Sequence, residues 1–195
     1  PTANGQFGSS VSIYGDTAAI GAPNHGVSHD GEVSIHTRNQ GGADEWGLLM
    51  TKAGTHSSAF GTSVDIDGEY LIVGAPYAEN HLQLTTGLAY VYRQDLGGPQ
   101  QWGLKHTLLV APSEQNDMAF GFAVAIWDEN PAVANSTSRS VIGAPLHDFS
   151  GTEDSGLVAF FINGTVNTTA AGGMAKGNRG YSVDIYGDYA VVGAP

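Results

Sequence analysis

The chain has 195 residues, of which 41% are hydrophobic and 13% charged, and its formal net charge is −12. This composition predicts a single folded domain rather than an intrinsically disordered chain, and the scarcity of basic residues argues against a nucleic-acid partner. The absence of cysteine excludes a disulfide scaffold and a thiolate metal site, and no run of about 18 apolar residues is present that would span a membrane.

One sequence pattern occurs four times along the chain. Its copies run from Phe7 to Pro23, from Phe60 to Pro76, from Phe120 to Pro145 and from Arg179 to Pro195. The third copy is longer, because the distance from its first residue to the Gly of Gly-Ala-Pro is nine residues greater than in the other copies. A pattern repeated at intervals of this size predicts a fold built from similar structural units.

Each copy predicts a β-hairpin. In the second copy, "FGTSVDIDGEYLIVGAP", Val64 and Ile66 alternate with Ser63 and Asp65, which places the two pairs on opposite sides of a strand. A tight turn at Gly68 then leads into an apolar run that ends at Gly-Ala-Pro, where proline ends the strand.

Two further strands follow each of the first three hairpins. The third strand starts at a glycine, and the fourth follows a Gly-rich turn that contains "WGL" in the first two units. We expect third strands at residues 31–38, 87–94 and 156–163, and fourth strands at 41–53, 97–110 and, in a degenerate form, 164–172.

Four-stranded units repeated about every 50–60 residues are typical of β-propeller blades. The sequence therefore predicts an all-β fold with β-propeller-type blades of four antiparallel strands, about three and a half blades in all. In one domain, 1–195, the units are predicted at about 7–59, 60–119, 120–178 and, as a partial unit, 179–195. A β-sandwich is the alternative, although it does not require a near-identical hairpin at regular intervals.

The spacing of Phe-Gly and Gly-Ala-Pro resembles the FG-GAP repeat family, whose best-known members form the seven-bladed propeller of integrin α subunits. The pattern stands in full in the first three copies and as "RGY…GAP" in the fourth. The compact form of these repeats is more similar to secreted bacterial members, which lack the calcium loop, than to integrins. The resemblance implies an extracellular or cell-surface protein with a role in adhesion or in a filament, which binds a protein or glycan ligand through loops on one rim.

The fourth copy contains only the first two strands of a blade. We expect the remaining blades to follow in a longer chain. Two alternatives stay open: copies of the chain that self-associate to complete the partial blade, or an open array of repeats that extends into a fibre.

Calcium is the one cofactor for which the sequence has a candidate site. The short hairpin turns of the repeats cannot wrap an ion that takes about six to eight oxygen ligands. The loop at 147–156 is longer, and Asp148, Glu153 and Asp154 are its candidate metal ligands. The alternative interpretation of this loop, which we favour, is a solvated acidic loop without a cofactor.

Three Asn-x-Ser/Thr sequons are present. They place candidate glycosylation sites at Asn135, within the insertion of the third copy, and at Asn163 and Asn167, near a predicted turn. All three are expected to be exposed, and in a secreted eukaryotic protein they would carry glycans.

Histidines and aromatic residues give weaker signals. His25, His29 and Asp30 lie close together in sequence, but they lack the spacing of a zinc site, and ordinary loop residues are the favoured interpretation. Exposed aromatic rings are candidates for contact with a sugar or a protein. These candidates are Tyr14, Tyr77, Tyr92, Trp127 and Tyr186, although packing between blades would explain Tyr14 and Tyr186 as well.

No catalytic motif was found among the patterns for nucleophilic serine, phosphate-binding or zinc-protease sites. Together with the role that the resemblance to FG-GAP repeats implies, this favours a non-catalytic extracellular scaffold, adhesion or filament-forming protein. The alternative is a carbohydrate-binding or carbohydrate-processing propeller module, which rests on analogy between folds.

Overall fold

The computed structural model describes residues 5–110 and 116–195, so residues 111–115 of the second predicted unit lie outside the described part. The described chain forms fourteen β-strands and no helix, and hence no helix long and apolar enough to cross a membrane. The strands form three four-stranded sheets and one two-stranded sheet, all antiparallel. We call the four-stranded sheets blade one, blade two and blade three, and the two-stranded sheet the half-blade.

The strands follow the order predicted from the repeats. Blade one contains β1 (Ser10–Tyr14), β2 (Thr17–Ala22), β3 (Glu32–Gly42) and β4 (Glu45–Ala53). Blade two contains β5 (Ser63–Asp67), β6 (Tyr70–Ala75), β7 (Leu88–Arg93) and β8 (Gly103–Leu108). Blade three contains β9 (Ala123–Asp128), β10 (Ser138–Ala144), β11 (Leu157–Ile162) and β12 (Thr165–Ala171), and the half-blade contains β13 (Ser182–Tyr186) and β14 (Tyr189–Gly193).

The hairpin turns explain why the third copy is longer. In blade two, Asp67 pairs with Tyr70, so Gly68 and Glu69 form a two-residue turn, in which Gly68 has a φ of 58°. In blade three the corresponding pair is Asp128 and Ser138, and residues 129–137 loop out between them. The insertion of the third copy therefore lies at a hairpin tip.

The sheets stack face to face in sequence order. One apolar cluster joins blades one and two, a second joins blades two and three, and a third joins blade three and the half-blade. Blades two and three are therefore covered on both faces, which a two-layer sandwich does not allow. The predicted all-β fold with propeller-like blades is confirmed, and the sheets do not close into a ring within the described part of the chain.

Glycines allow the close approach of successive blades. A Cβ atom on Gly74, the glycine of Gly-Ala-Pro in blade two, would lie 1.9 Å from the carbonyl oxygen of Gly121 in blade three. A Cβ atom on Gly143 would lie 1.9 Å from the carbonyl oxygen of Gly180. Because the obstructing atoms belong to the backbone, no side-chain rotation would make room for them. The Phe-Gly and Gly-Ala-Pro sequences thus meet across each junction.

A serine hydroxyl reinforces two of these contacts. The Ser10 hydroxyl of blade one donates a hydrogen bond to the Gly61 carbonyl at 2.8 Å, and the Ser63 hydroxyl of blade two donates one to the Gly121 carbonyl at 3.0 Å. Each bond joins the first strand of one blade, which we call its inner strand, to the Phe-Gly glycine of the next blade. The same repeat residues therefore fix the inner ends of the blades relative to one another.

Candidate functional site on the hairpin rim

Because the strands of each blade are antiparallel, the connections between them lie at two opposite ends of the blade. The turn between the first two strands and the turn between the last two lie at one end of the blade, which we call the hairpin rim. The loop after Gly-Ala-Pro and the connection to the next blade lie at the other end, which we call the GAP rim. The hairpin rim includes residues 15–16, 68–69, 129–137, 163–164 and 187–188, and the GAP rim includes residues 23–31, 76–87 and 145–156.

An open cavity of about 400 Å³ lies between the inner strands of blade two, blade three and the half-blade. Its polar lining is acidic, with one carboxylate or more from each of the three sheets. We call it the inner-strand cavity. Its lining includes Asp65, Asp67, Asp128, Glu129, Asp184, Trp127 and Tyr186.

Asp65 joins three sheets through hydrogen bonds. Its Oδ2 accepts the N–H of Ile126 in blade three at 2.8 Å, and its Oδ1 accepts the Ser12 hydroxyl of blade one at 2.9 Å and the N–H of Ile66. Burial raises the pKa of the Asp65 carboxyl above its ordinary value, although these three bonds oppose the shift. Asp65 therefore satisfies an inner-strand N–H of the next blade and also brings an acidic group to the cavity.

Asp67 and Asp128 form a second link between blades two and three. Oδ2 of Asp67 accepts the N–H of Asp128 at 2.8 Å, and the Asp128 carboxylate accepts the N–H of Glu69 and the hydroxyl of Ser136. Burial raises the pKa of the Asp67 carboxyl, and the nearby Asp128 carboxylate raises it further. These links join residues of different repeats, so the sequence around Asp67 does not indicate them.

The residue at the inner-strand position equivalent to Asp65 differs among the four sheets. Ser12 of blade one accepts the N–H of Ile66 at 3.2 Å, in the same manner as Asp65 accepts an N–H from blade three. Blade three has Ala125 at this position, which has no acceptor. The half-blade has Asp184, which is exposed and whose Oδ1 accepts the N–H of Ile185, the residue after it.

Aromatic and basic side chains stand beside the cavity. The rings of Trp127 and Tyr186 lie 6.3 Å apart, and the guanidinium of Arg139 lies 5.6 Å from the Trp127 ring. Arg139 also forms an ion pair with Asp188 of the half-blade. Tyr186 itself is 79% exposed, so its ring is available to a ligand at the mouth of the cavity.

The other candidate aromatic residues have different positions. Tyr14 and Tyr77 are partly exposed, at 40% and 49%. Tyr92 is buried, and its ring packs edge-on against that of Phe60 at a distance of 6.3 Å between centroids. The prediction that Tyr92 is an exposed contact residue is therefore wrong, because blade one covers that face of blade two.

All three sequon asparagines are exposed. Asn135 lies in the loop at 129–137, and its backbone N–H donates to the Glu69 carboxylate. Asn163 lies in the turn between β11 and β12, where its side-chain oxygen accepts the N–H of Ser138 at 3.0 Å. Two of the sequons thus lie on the hairpin rim, and their glycosylation stays a prediction.

The loop with Asp148, Glu153 and Asp154 is held by internal hydrogen bonds. The Asp148 carboxylate accepts the N–H of Asp154 at 2.8 Å, and the Ser155 hydroxyl donates to the His147 carbonyl at 3.2 Å. Among the described residues, no group of three or more His, Asp or Glu side chains is arranged to hold a metal ion. The geometry gives no support to calcium binding here, which stays a prediction.

The histidines of the first loop after Gly-Ala-Pro do not converge either. His25 lies 3.9 Å from the Glu32 carboxylate, and Asp30 accepts the N–H of Ser57 at 3.1 Å. His29 has a φ of 55°, a left-handed conformation within the loop. These residues shape the GAP rim of blade one.

A second cavity, of about 370 Å³, lies between blade three and the half-blade. It is lined by Arg139, Phe160 and Asn167 of blade three and by Asp188 and Tyr189 of the half-blade. It occurs where a four-stranded sheet stands beside a two-stranded one, so it reflects the difference in width between the two sheets. The inner-strand cavity, which is bounded by three sheets, is the better candidate for a ligand site.

The family model described as FG-GAP repeat matches residues 1–36 and 49–92, which include the first two Phe-Gly and Gly-Ala-Pro pairs. A search of curated proteins found no significant match. FG-GAP repeats form β-propeller modules that are often involved in adhesion or ligand binding. The two matched segments identify FG-GAP repeats in the first two blades, and all the described blades meet through the same glycines.

Proposed function

We propose that this protein is a non-catalytic extracellular adhesion or scaffold module that binds a basic segment of a partner protein on its hairpin rim. The inner-strand cavity is the observation that carries this proposal. Its lining combines acidic groups from three sheets with the exposed ring of Tyr186, a combination suited to lysine or arginine side chains. The net charge of −12 would favour encounter with a basic partner.

Two features support the extracellular part of the proposal. FG-GAP repeats are typically extracellular domains, and the three sequon asparagines are exposed. Asn135 and Asn163 lie on the hairpin rim, so glycans there would flank the ligand and restrict its approach. Mass spectrometry of the protein from its native source, before and after removal of N-glycans, would test this placement.

Binding of a hexalysine peptide, with hexaglutamate as the control peptide, would test the ligand site. In the variant Asp184→Asn with Glu129→Gln, which removes two exposed carboxylates from the cavity, we expect the Kd for hexalysine to rise roughly 5- to 20-fold. The matched control, Glu79→Gln with Glu153→Gln, removes two exposed carboxylates from the GAP rim. It should leave the Kd within about twofold, since screening weakens distant charges.

Two outcomes of the same titration would contradict the proposal. Equal weakening in both double variants would mean that hexalysine responds only to net charge. Absence of binding to the unaltered protein at low ionic strength would reject a basic ligand.

The second candidate function is carbohydrate binding, and the position of Tyr186 is the observation that favours it. Its ring is exposed beside Trp127 at the mouth of a cavity with carboxylate acceptors. A glycan array with the unaltered protein and with Tyr186→Ala would test this function. Glycan signals that disappear in the variant would favour it over peptide binding, and an array without signals would reject it.

A further inference from the structure

An open cavity of about 240 Å³ lies on the GAP rim, where the inner ends of blades one, two and three meet. We call it the GAP-rim cavity. Because the blades stack face to face, a neighbouring sheet covers a face of a blade and leaves its rim open. The cavity therefore belongs to the junctions within the chain. Its lining consists of Gln6, Ser9, Pro23, Asn24, Ala59, Thr62, Pro76, Tyr77 and Phe122.

Two positions of the repeat supply most of the side chains of this cavity, and both vary from copy to copy. The residue after Phe-Gly is Ser9, Thr62 or Phe122, and the residue after Gly-Ala-Pro is Asn24, Tyr77 or Leu146. The backbone does not vary in the same way. The N–H groups of Ser9, Thr62 and Phe122 each donate to the carbonyl three residues earlier, at 3.0 to 3.1 Å. One turn thus presents different side chains, and these residue types are not required for the stacking of the blades.

Two aromatic rings border the cavity. Tyr77 is 49% exposed, and its backbone N–H donates to the Ser58 carbonyl at 3.2 Å, which fixes the start of the loop. Phe122 is half-buried, and its ring centroid lies 5.0 Å from that of Tyr181. The face of an aromatic ring carries partial negative charge, so it attracts the polarised C–H groups on one side of a sugar ring.

The remaining polar groups of the cavity are neutral. Gln6 and Asn24 provide side-chain amides, and Ser9 and Thr62 provide hydroxyls. The Thr62 hydroxyl donates to the Ala59 carbonyl at 2.7 Å, which leaves its oxygen as an acceptor. Amides and hydroxyls both donate and accept hydrogen bonds, as the hydroxyls of a sugar do. None of the described residues that line the cavity is charged, although the chain has a net charge of −12.

We propose that the GAP-rim cavity binds a neutral pyranose sugar, at a site separate from the ligand site on the hairpin rim. Rings beside a few amides and hydroxyls suit the apolar face and the hydroxyls of such a ligand, and the lack of charge disfavours a basic or acidic one. Sites for drug-sized ligands measure roughly 300–1,000 Å³. The smaller GAP-rim cavity suits one sugar ring rather than an extended chain.

NMR titration of the ¹⁵N-labelled chain with the methyl glycosides of glucose, galactose, mannose and N-acetylglucosamine would test this site. We expect at least one of these sugars to shift the amide signals of Ser9, Thr62, Tyr77 and Phe122. A ligand of one sugar ring has few atoms with which to gain affinity, so the expected Kd is about 1 mM.

Substitution of Tyr77 separates contact with the ring from a general effect on the fold. Tyr77→Ala removes the ring and should raise the Kd roughly 10-fold, whereas Tyr77→Phe keeps the ring and should stay within about threefold of the unaltered protein. Asn24→Ala removes an amide from the opposite blade and should raise the Kd roughly fivefold.

The matched control is Phe149→Ala. Phe149 is a 48% exposed aromatic residue of the GAP rim, and it lies outside the lining of the cavity. This variant should leave the Kd within about twofold, because no contact with the sugar is lost. Circular dichroism would establish that each variant is folded.

Three results would overturn the proposal. They are the absence of shifts in these amides with all four sugars at concentrations far above the expected Kd, equal weakening in Tyr77→Ala and Phe149→Ala, and binding by Tyr77→Phe as weak as that by Tyr77→Ala. Hexalysine should bind Tyr77→Ala as it binds the unaltered protein. Failure of the sugar site is therefore distinguishable from failure of the proposed function.

Discussion

The outer strands of blades one and two share a Trp-Gly-Leu sequence but place it in different surroundings. Trp46 of blade one is 39% exposed and lies beside Arg38, whose guanidinium is 5.7 Å from its ring. Trp102 of blade two is completely buried in the cluster that joins the two blades. The same residues in the same part of a blade are therefore core in one sheet and surface in the other.

The difference shows that a blade does not contain its own core. An antiparallel sheet of four short strands has two faces, and a hydrophobic face contributes to stability only when another layer covers it. Blade two is covered on both sides, whereas blade one is covered on one side. Equivalent substitutions in a covered sheet and in an uncovered one should therefore have unequal effects on stability, and three pairs of variants measure this inequality.

The largest difference is expected at the Gly-Ala-Pro glycines. Gly74→Ala places a Cβ 1.9 Å from the Gly121 carbonyl oxygen, so blade three must move, and we expect a loss of more than about 3 kcal/mol in the free energy of unfolding. The three heavy atoms nearest to a Cβ on Gly193 all belong to Ser182, whose side chain is exposed, so Gly193→Ala should cost about 1 kcal/mol or less. Urea denaturation of both variants measures the two values. Equal losses would mean that the glycine serves its own strand and not the junction.

The inner-strand isoleucines should show the next largest difference. Ile66 is 4% exposed between blades one and two, and Ile66→Ala leaves a cavity there, so we expect a loss of about 3 kcal/mol. Ile13 is 64% exposed, and Ile13→Ala should change stability by about 0.5 kcal/mol. Urea denaturation of both variants under the same conditions is the check. A large effect at Ile13 under these conditions would contradict the description of blade one as uncovered.

A smaller difference in stability is expected between substitutions of the inner-strand carboxylates of Asp65 and Asp184. Asp65→Ala removes the acceptor of the Ile126 N–H and of the Ser12 hydroxyl, and the expected loss is about 1 to 2 kcal/mol, limited by relief of the buried charge. Asp184→Ala removes an exposed carboxylate and should change stability by less than about 0.5 kcal/mol. Hydrogen exchange at the Ile126 amide, measured by NMR, should accelerate only in the Asp65 variant. Unchanged protection there would show that this hydrogen bond does not hold the junction.

Much of the fold could be predicted from the sequence because the determinants are local. Alternation such as that of Val64 and Ile66, a turn glycine such as Gly68 and a terminal Gly-Ala-Pro define each hairpin without reference to distant residues. The longer spacing in the third copy likewise indicates an insertion, which the structure places at residues 129–137. Repetition then predicts that the hairpins stack.

The candidate site was less accessible to prediction, because its contacts join different repeats. The partner of Asp65 is an N–H group 61 residues further along the chain, and nothing in the sequence near Asp65 indicates it. Tyr92 shows the same limit, since its burial depends on blade one rather than on its own alternating strand.

The smallest expected effect concerns pH and a contact between the outer parts of blades two and three. Burial lowers the pKa of His106 in β8, and the neighbouring Lys105 lowers it further. The ring of His106 lies against the backbone of Gly164 in the turn between β11 and β12. The folded protein therefore favours the neutral ring. Its contribution to stability is complete above the ordinary histidine pKa and is lost as the pH falls through the lowered one.

Blade one provides the matched replacement for this position. Met50 is its equivalent, since it pairs with Ile35 as His106 pairs with Val91. The variant His106→Met keeps a side chain of similar size and removes the titration, so its thermal midpoint should fall less than that of the unaltered protein between pH 7.5 and pH 5.5. His147, whose pKa burial also lowers, is retained in both proteins and accounts for part of the remaining slope. Identical slopes would show that the contact between His106 and blade three does not depend on a neutral ring.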